Sequence, residues 1–167
     1  MQFSVGDKVV HPKLGPGRIT GVVSREGVGG ATSYYIIDMG GQHLTVHVPV
    51  LRAEELGLRP AMSLSMLPQV LSTLRSSPCQ LPDDPKQRQE QIGVSMRGGQ
   101  VLPLAGLVRD LTWYGERAHL TKKDSDLLKQ GQARLAAEMA LASEASASDS
   151  TRLIGSTMAA ALASALG

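Results

Sequence analysis

The residues with the greatest potential for chemistry are the four histidines and the single cysteine: His11, His43, His47, His119 and Cys79. His43 and His47 lie four positions apart in a predicted strand, which separates their side chains by about 13 Å at roughly 3.3 Å per residue. That distance is too long for one metal ion to bridge, and no second cysteine is present to complete a zinc site. No local signature pairs Cys79 with a base. We therefore predict neither a metal site nor a catalytic thiol.

Two glycine-rich stretches and an acidic pair are the other candidates for a site. The glycine stretches, 15–17 and 27–30, do not lead from a strand into a helix, so their amides would not cradle a phosphate, and we predict hairpin turns. Asp83 and Asp84 precede Pro85, an order that predicts a helix cap rather than an acid–base pair. With no catalytic constellation, the sequence predicts a binding protein without cofactor or small-molecule substrate.

Composition narrows the class of partner and the compartment. A chain of 167 residues fits one or two small domains, and a net charge of +2 is too small to indicate a nucleic-acid binder by itself. Aromatic residues make up 3% of the chain, too few for a surface that stacks single-stranded bases. One cysteine excludes an internal disulfide framework, and no run approaches the roughly 18 apolar residues of a membrane span. We expect a soluble, cytoplasmic protein.

The first third of the chain has the pattern of a small antiparallel β domain. Short apolar, β-branched runs alternate with glycine and proline turns: predicted strands at 8–10, 18–25, 33–37 and 43–48, and turns at 14–17, 26–30 and 40–41. In the last run Leu44, Val46 and Val48 alternate with polar residues, which predicts that these three side chains face a core. Short strands at this spacing predict a strongly bent sheet or a barrel.

Beyond residue 49 the pattern changes to helices. Apolar spacing, prolines and capping residues predict helices at 50–57, 66–76, 85–96 and 103–119, another capped by Thr121, and a last one capped by Ser148 or Asp149. The helix at 85–96 is polar for most of its length, which is typical of an edge element or a contact surface. The predicted fold class is α+β multidomain: a small antiparallel β-barrel followed by a bundle of four or five helices.

Two sets of residues could bind a partner. A small barrel leaves an edge strand that another protein can join, and Arg25 and His47 would be suitable polar contacts or ordinary solvated positions. Lys86, Arg88 and Arg97 on the polar helix could contact phosphates or form a solvated face, since acidic residues dilute their charge. Spacing alone leaves both alternatives open.

The chain resembles the CarD family of bacterial transcription regulators, whose N-terminal module is shared with the RNA-polymerase-interacting domain of the transcription-repair coupling factor. The resembling segments are VGDKVVHPKLGPGRITGV, YYIIDMGGQHLTVHVPV with the following ELGLRP, and LVRDLTWYGERAHLTKKDSDLLKQGQARLAAEMALA. The resemblance implies a Tudor-like barrel over 1–60 that docks on the β-subunit lobe of RNA polymerase. It also implies a helical domain over 61–167 that reaches upstream promoter DNA. Family members stabilise the melted promoter complex without catalysis.

The resemblance also suggests which residues contact the polymerase. Arg25 falls where the family typically has a contacting arginine, and His47 falls where an arginine is often found. Strand pairing through Leu44, Thr45, Val46 and His47 would not depend on the histidine side chain. The electrostatic part of the contact would be weaker than usual unless His47 is protonated.

On the DNA side the sequence departs from the family. Pro85 takes the place of a tryptophan that wedges at the minor groove, and Glu90 stands where a lysine is common. Proline is itself a wedge residue, so a weaker insertion is conceivable. Trp113 lies in another helix and is predicted to belong to the core or its edge. The residues expected to contact DNA are Pro85, Lys86, Arg88 and Arg97.

These expectations combine into two hypotheses. The first is a non-enzymatic regulator of transcription initiation that binds the polymerase β subunit and stabilises the promoter open complex through its helices. The alternative is a polymerase-binding adaptor whose helical domain contacts a protein partner and binds little or no DNA. The two hypotheses differ in the salt dependence that phosphate contacts would add.

Overall fold

The computed structural model describes residues 2–166 and divides into two compact units, Met1–Ala61 and Met62–Gly167. The first contains the strands and is here called the β unit; the second contains the α-helices and is called the helical unit. The predicted α+β architecture, with strands first and helices after them, is confirmed.

The β unit is built on a five-stranded antiparallel sheet with the order β4-β3-β2-β1-β5. Its strands are β1 (Lys8–His11), β2 (Gly15–Gly27), β3 (Gly30–Asp38), β4 (Thr45–Pro49) and β5 (Arg59–Pro60). In the part of the chain that the structure describes, β4 and β5 each pair with one neighbour, so the sheet is open and not closed into a barrel. An open sheet of this kind is compatible with a Tudor-like fold and leaves β4 as an edge strand.

The turn between β1 and β2 comes earlier than the predicted 14–17. The ring nitrogen Nδ1 of His11 accepts hydrogen bonds from the backbone N–H groups of Lys13 and Leu14, each at 3.2 Å, and closes the turn. Gly17 therefore lies inside β2, where an added Cβ would stand 2.8 Å from a side-chain carbon of β3. The glycine is needed for close strand packing and not for a turn.

The strand predicted at 43–48 also begins later than expected. A 3₁₀ turn at Gly40–Gln42 ends with His43 in the left-handed region at φ 50°, and β4 begins only at Thr45. Leu44 therefore precedes the strand and is 40% exposed, so its predicted place in the core is wrong. Val48 is buried, as predicted. The predicted helix at 50–57 is reduced to a single 3₁₀ turn, Val50–Arg52.

The helical unit contains five α-helices within the described residues: α1 (Leu67–Arg75), α2 (Pro85–Gly98), α3 (Val101–Arg117), α4 (Lys122–Ser143) and α5 (Ala147–Leu166). Local capping chemistry sets their ends. The Asp84 carboxylate accepts from the Gln87 amide at 3.0 Å, and Thr121 forms a capping box with Asp124, as predicted. The last helix starts earlier than expected because Ser146, and not Ser148 or Asp149, accepts the Asp149 amide at 3.0 Å.

The core of the helical unit is centred on α3, which buries one face against the other helices. Its buried apolar side chains include Leu104, Leu107, Val108 and Leu111, which pack with Val70, Leu74, Ile92, Met96, Leu135, Met139, Ile154 and Met158. Trp113 is half-buried and packs against this cluster, as predicted for the core or its edge. Burying each large apolar side chain stabilises the unit by about 1.5–3 kcal/mol before chain entropy is subtracted.

Candidate functional site

The outer edge of β4 is the first candidate binding surface. β4 pairs with β3 on one side, with Ile36 opposite His47 and Asp38 opposite Thr45. Its other side faces no strand in the part of the chain that the structure describes. Such an edge offers backbone N–H and C=O groups to an incoming strand of another protein.

The structure brings two of the predicted polymerase contacts together beside this edge. Arg25 lies on β2 and His47 on β4, yet the Arg25 Nη2 atom is 2.7 Å from the His47 Nδ1 atom. A guanidinium can only donate, so the unprotonated Nδ1 lone pair accepts this bond. The Arg25 guanidinium carbon also lies 5.7 Å from the centre of the Tyr34 ring on β3. The histidine therefore orients the arginine instead of adding a second positive charge.

The sheet face that carries Arg25 and His47 also carries a group of apolar residues next to them. Val23 is paired with Tyr34, and Tyr34 with Pro49, which places these three side chains on one face. All three are half-buried, so part of each remains open to a partner. An aromatic ring, aliphatic groups and an exposed arginine are the composition that favours a protein–protein contact.

Of the other predicted strand contacts, Thr45 is exposed and Val46 is half-buried against the β core. Leu44 lies outside β4, and its carbonyl accepts a hydrogen bond from the Met39 amide at 2.9 Å. That carbonyl bonds on the β3 side, away from the free edge, and a polymerase contact at Leu44 stays a prediction. The available edge is restricted to Thr45–Pro49.

On the helical unit, the prediction that Arg88 contacts DNA is wrong because the side chain is buried, with 1% exposed. Its Nε and Nη2 atoms donate to the two carboxylate oxygens of Asp124, at 3.2 and 2.6 Å. Its Nη1 atom donates to the carbonyls of Pro82 and Asp83, at 3.1 and 3.0 Å, and to the Tyr114 hydroxyl at 3.0 Å. No donor group of this arginine is directed to solvent.

Asp124 serves as both an ion-pair partner and a helix cap. Burial alone would raise the pKa of Asp124, but the hydrogen bonds from Arg88 and Thr121 outweigh burial and lower it to about 2. The Thr121 amide donates to the same carboxylate at 2.9 Å, and Gln89 donates to the Thr121 hydroxyl at 3.2 Å. These contacts hold the first turn of α2 against the first turn of α4.

A sequence signal for the burial of Arg88 existed. Arg88, Ile92 and Met96 follow one another at intervals of four residues, the spacing of one helical face, and all three are buried. Because Arg88 is charged, it was assigned to the polar face of the helix instead of to this stripe.

The other predicted DNA contacts are exposed but widely separated. Pro85 and Lys86 form the first turn of α2, and Arg97 lies in its last turn. At 1.5 Å per residue, Arg97 is about 18 Å along the helix from Pro85. Lys86 and Pro85 therefore belong to one patch, and Arg97 lies at a different site.

The structure adds two cations that sequence reasoning missed. Lys122 and Lys123 are exposed in the first turn of α4, which the Gln89 and Arg88 contacts hold beside the first turn of α2. Positive charges are unfavourable at a helix N-terminus, so these lysines do not stabilise their own helix. A Lys-Lys pair directly after a predicted cap was the signal available. Lys86, Lys122 and Lys123 are here called the basic patch.

Family models match both units of the chain. The model described as "CarD-like/TRCF RID domain" matches residues 3–62, and the model described as "CarD, C-terminal domain" matches residues 69–155. The chain belongs to the CarD family. This membership makes it a transcription-factor relative that carries an RNA-polymerase-interacting domain, and it confirms the resemblance seen in the sequence.

A curated relative matches most of the chain. The protein named "Putative transcription factor YdeB" from Bacillus subtilis (strain 168) is 23% identical over 137 residues, which span 82% of this chain and 90% of the relative. The alignment therefore reaches across both units.

The described residues contain neither a metal-ligand cluster nor a membrane-spanning helix. Among residues 2–166, no three histidine, cysteine, aspartate or glutamate side chains are grouped so that they could hold a metal ion. No helix in that range combines the length and the apolar character needed to span a membrane.

Proposed function

We propose that this CarD-family chain is a non-enzymatic regulator of transcription initiation. It binds the β-subunit lobe of RNA polymerase through the β unit and stabilises the promoter open complex through the helical unit. The observation that carries the proposal is the free edge of β4 beside the Arg25–His47 hydrogen bond. It gives the polymerase-interacting domain both an unpaired strand edge and an oriented cation.

On the polymerase side, a strand of the β subunit adds to β4 and pairs with Thr45, Val46 and His47 through the backbone. Arg25 then donates its remaining N–H groups to a carboxylate of the partner. His47 stands in for a second arginine by holding the Arg25 guanidinium in place, at 2.7 Å. Because the guanidinium is oriented before binding, less side-chain entropy is lost on binding.

On the DNA side, the basic patch contacts phosphates and Pro85 presses against a distorted base step. Each phosphate contact adds a slope of roughly −0.9 to the logarithm of affinity against the logarithm of salt concentration. A small apolar ring can hold a kinked step in the minor groove, although with less contact area than a tryptophan. Arg97 would serve as an outlying phosphate contact.

The adaptor hypothesis has a specific observation in its favour. Arg88 is buried, so it cannot contribute the phosphate contact expected of it. With Pro85 in place of tryptophan, DNA binding would rest on the basic patch. If those lysines contribute nothing, the helical unit serves a protein partner.

The open-complex lifetime, measured with purified cognate polymerase, tests the proposal. We expect the chain to lengthen the lifetime, Arg25→Glu to abolish the effect, and the triple change Lys86→Ala/Lys122→Ala/Lys123→Ala to reduce it. Lys13→Glu is a matched control, because Lys13 is exposed in the turn at the opposite end of β2 from Arg25.

For the DNA side, Arg152→Ala is the control, since Arg152 is exposed near the start of α5, which follows the far end of α4. A lifetime that never changes, combined with polymerase binding that Arg25→Glu abolishes, would support the adaptor instead. A lifetime effect that survives Arg25→Glu would contradict the polymerase contact.

A further inference from the structure

The guanidinium of Arg88 holds the chain directly before Pro85. Its Nη1 atom donates to the carbonyls of Pro82 and Asp83, at 3.1 and 3.0 Å. The next residue, Asp84, is fixed by its own cap, in which its carboxylate accepts from the Gln87 amide at 3.0 Å. The proline ring sets the following φ near −65°. Every peptide leading into α2 is therefore restrained.

The same guanidinium is anchored on two other helices. It forms a bidentate ion pair with Asp124 of α4, and its Cζ atom lies 4.5 Å from the centre of the Tyr114 ring of α3. Arg88 is 1% exposed and Asp124 is fully buried. The segment before Pro85 is thus tied to the core of the helical unit through one side chain.

Stability alone does not account for this arrangement. Apolar side chains of similar volume often replace a buried ion pair with no loss of stability. What an apolar side chain cannot do is bind the carbonyls of Pro82 and Asp83. These hydrogen bonds fix the orientation of the backbone that leads to one surface residue, the exposed Pro85 at the start of α2.

We propose that Arg88 is a positioning residue for Pro85: it holds the preceding peptides so that the pyrrolidine ring meets the opened base step in one orientation. This inference rests on the proposed function, in which Pro85 contacts DNA. A small wedge has little contact area, so its effect depends more on prior orientation than that of a large aromatic ring. The basic patch lies outside the Arg88 hydrogen bonds, and Gln89 can still donate to the Thr121 hydroxyl when the ion pair is removed, so phosphate contact needs no such orientation.

Two variants separate positioning from charge pairing. Arg88→Met/Asp124→Asn removes both buried charges, and the asparagine oxygen can still accept from the Thr121 amide and preserve the cap of α4. Asp124→Asn alone leaves Arg88 bonded to the two carbonyls. Arg152→Met is the matched control, because it makes the same substitution at an exposed position in α5 that is assigned no contact with DNA.

The measurement uses 2-aminopurine at the upstream edge of the bubble in a polymerase–promoter complex with the full chain bound. Its fluorescence reports unstacking of that base step, and the salt slope of the complex reports phosphate contacts. We expect Arg88→Met/Asp124→Asn to lose as much of the fluorescence increase as Pro85→Ala does, with the salt slope unchanged. Asp124→Asn and Arg152→Met should both keep the increase, and Arg152→Met should leave the salt slope unchanged.

The outcomes are distinguishable. A double variant that keeps the full fluorescence increase overturns the positioning role and leaves the proposed function intact. A wild-type chain that gives no increase overturns the DNA part of the proposed function and this inference with it. If the double variant fails to fold, Arg88→Lys decides: lysine keeps the charge opposite Asp124 but cannot span both carbonyls, so an unchanged increase would also overturn the role.

Discussion

Arg25 in the β unit and Arg88 in the helical unit have opposite environments, although sequence reasoning placed both on binding surfaces. Arg25 is exposed, and its guanidinium donates a hydrogen bond to the His47 Nδ1 atom at 2.7 Å. Arg88 is buried, and a carboxylate, two carbonyls and a hydroxyl accept all of its hydrogen bonds. Charge alone does not identify a contact residue. The neighbours supplied by the fold decide whether a cation faces a partner or the core.

The largest contrast is expected in stability. Arg88→Ala leaves the Asp124 carboxylate buried without its main partner. We therefore expect the free energy of unfolding of the helical unit to fall by about 3–5 kcal/mol. Arg25→Ala removes an exposed side chain, and the change should stay within about 0.5 kcal/mol. Urea denaturation followed by circular dichroism measures both. Equal effects of the two changes would contradict the difference in environment.

The stabilities of the two units should depend on pH in different ranges. The folded pKa of Asp124 is about 2, below the unfolded value of 3.8. Its contribution to stability is therefore complete above about pH 5 and is lost as the pH falls through the folded pKa. A shift of that size corresponds to about 2 kcal/mol.

In the β unit, burial and then the Lys13 charge lower the pKa of His11 below 6.5. The contribution of His11 to the stability of the β unit is complete above pH 6.5 and is lost as the pH falls below that value. Hydrogen exchange resolved by segment should show the turn after β1 loosening at a higher pH than the start of α4. The reverse order would contradict these shifts.

A smaller effect is expected at the cap of α4. Thr121→Ala removes the hydroxyl that accepts from the Asp124 amide at 3.1 Å and from Gln89. We expect a loss of about 1 kcal/mol, the usual cost of removing an N-cap side chain. Thermal unfolding measures it, with Thr121→Ser as the control that retains the hydroxyl. A loss as large as that of Arg88→Ala would show that the cap, and not the ion pair, holds α2 to α4.

The smallest stability change and a selective binding change are expected at His47. His47→Ala removes the acceptor that orients Arg25, so polymerase affinity should fall by about two- to fivefold, while stability changes by less than about 0.5 kcal/mol. Titration of labelled protein with purified polymerase measures the affinity. His47→Gln, which can offer an amide oxygen, should recover part of it. An unchanged polymerase affinity for His47→Ala would contradict the role of His47 in orienting Arg25.

Local chemistry was predictable from the sequence, and contacts between distant elements were not. Asp84 and Thr121 were identified as caps because a cap depends on residues three positions away. The β1–β2 turn was misplaced because the His11 ring, and not the glycines, closes it. Leu44 was misassigned because a 3₁₀ turn delays the start of β4.

The contacts that form the candidate site join distant parts of the chain and were likewise not predictable from the sequence. The Arg25–His47 hydrogen bond joins residues 22 positions apart through the pairing of three strands, which no spacing rule reveals. Arg88 meets Asp124 across 36 positions, although its helical spacing with Ile92 and Met96 pointed inward. Lys122 and Lys123 enter the site because contacts between α2 and α4, among them the bond from Gln89 to the Thr121 hydroxyl, join two helix starts.

Amide hydrogen exchange in β4, with and without bound polymerase, tests whether a polymerase strand adds to the free edge of β4. We expect exchange at the Thr45 and His47 amides to slow strongly in the complex, because these amides face the outer edge that a strand of the polymerase β subunit covers, whereas those of Val46 and Val48 already face β3. Arg25→Glu should remove this protection, and Lys13→Glu should leave it unchanged. Polymerase that binds the chain while exchange in β4 stays as fast as in the free protein would contradict the account.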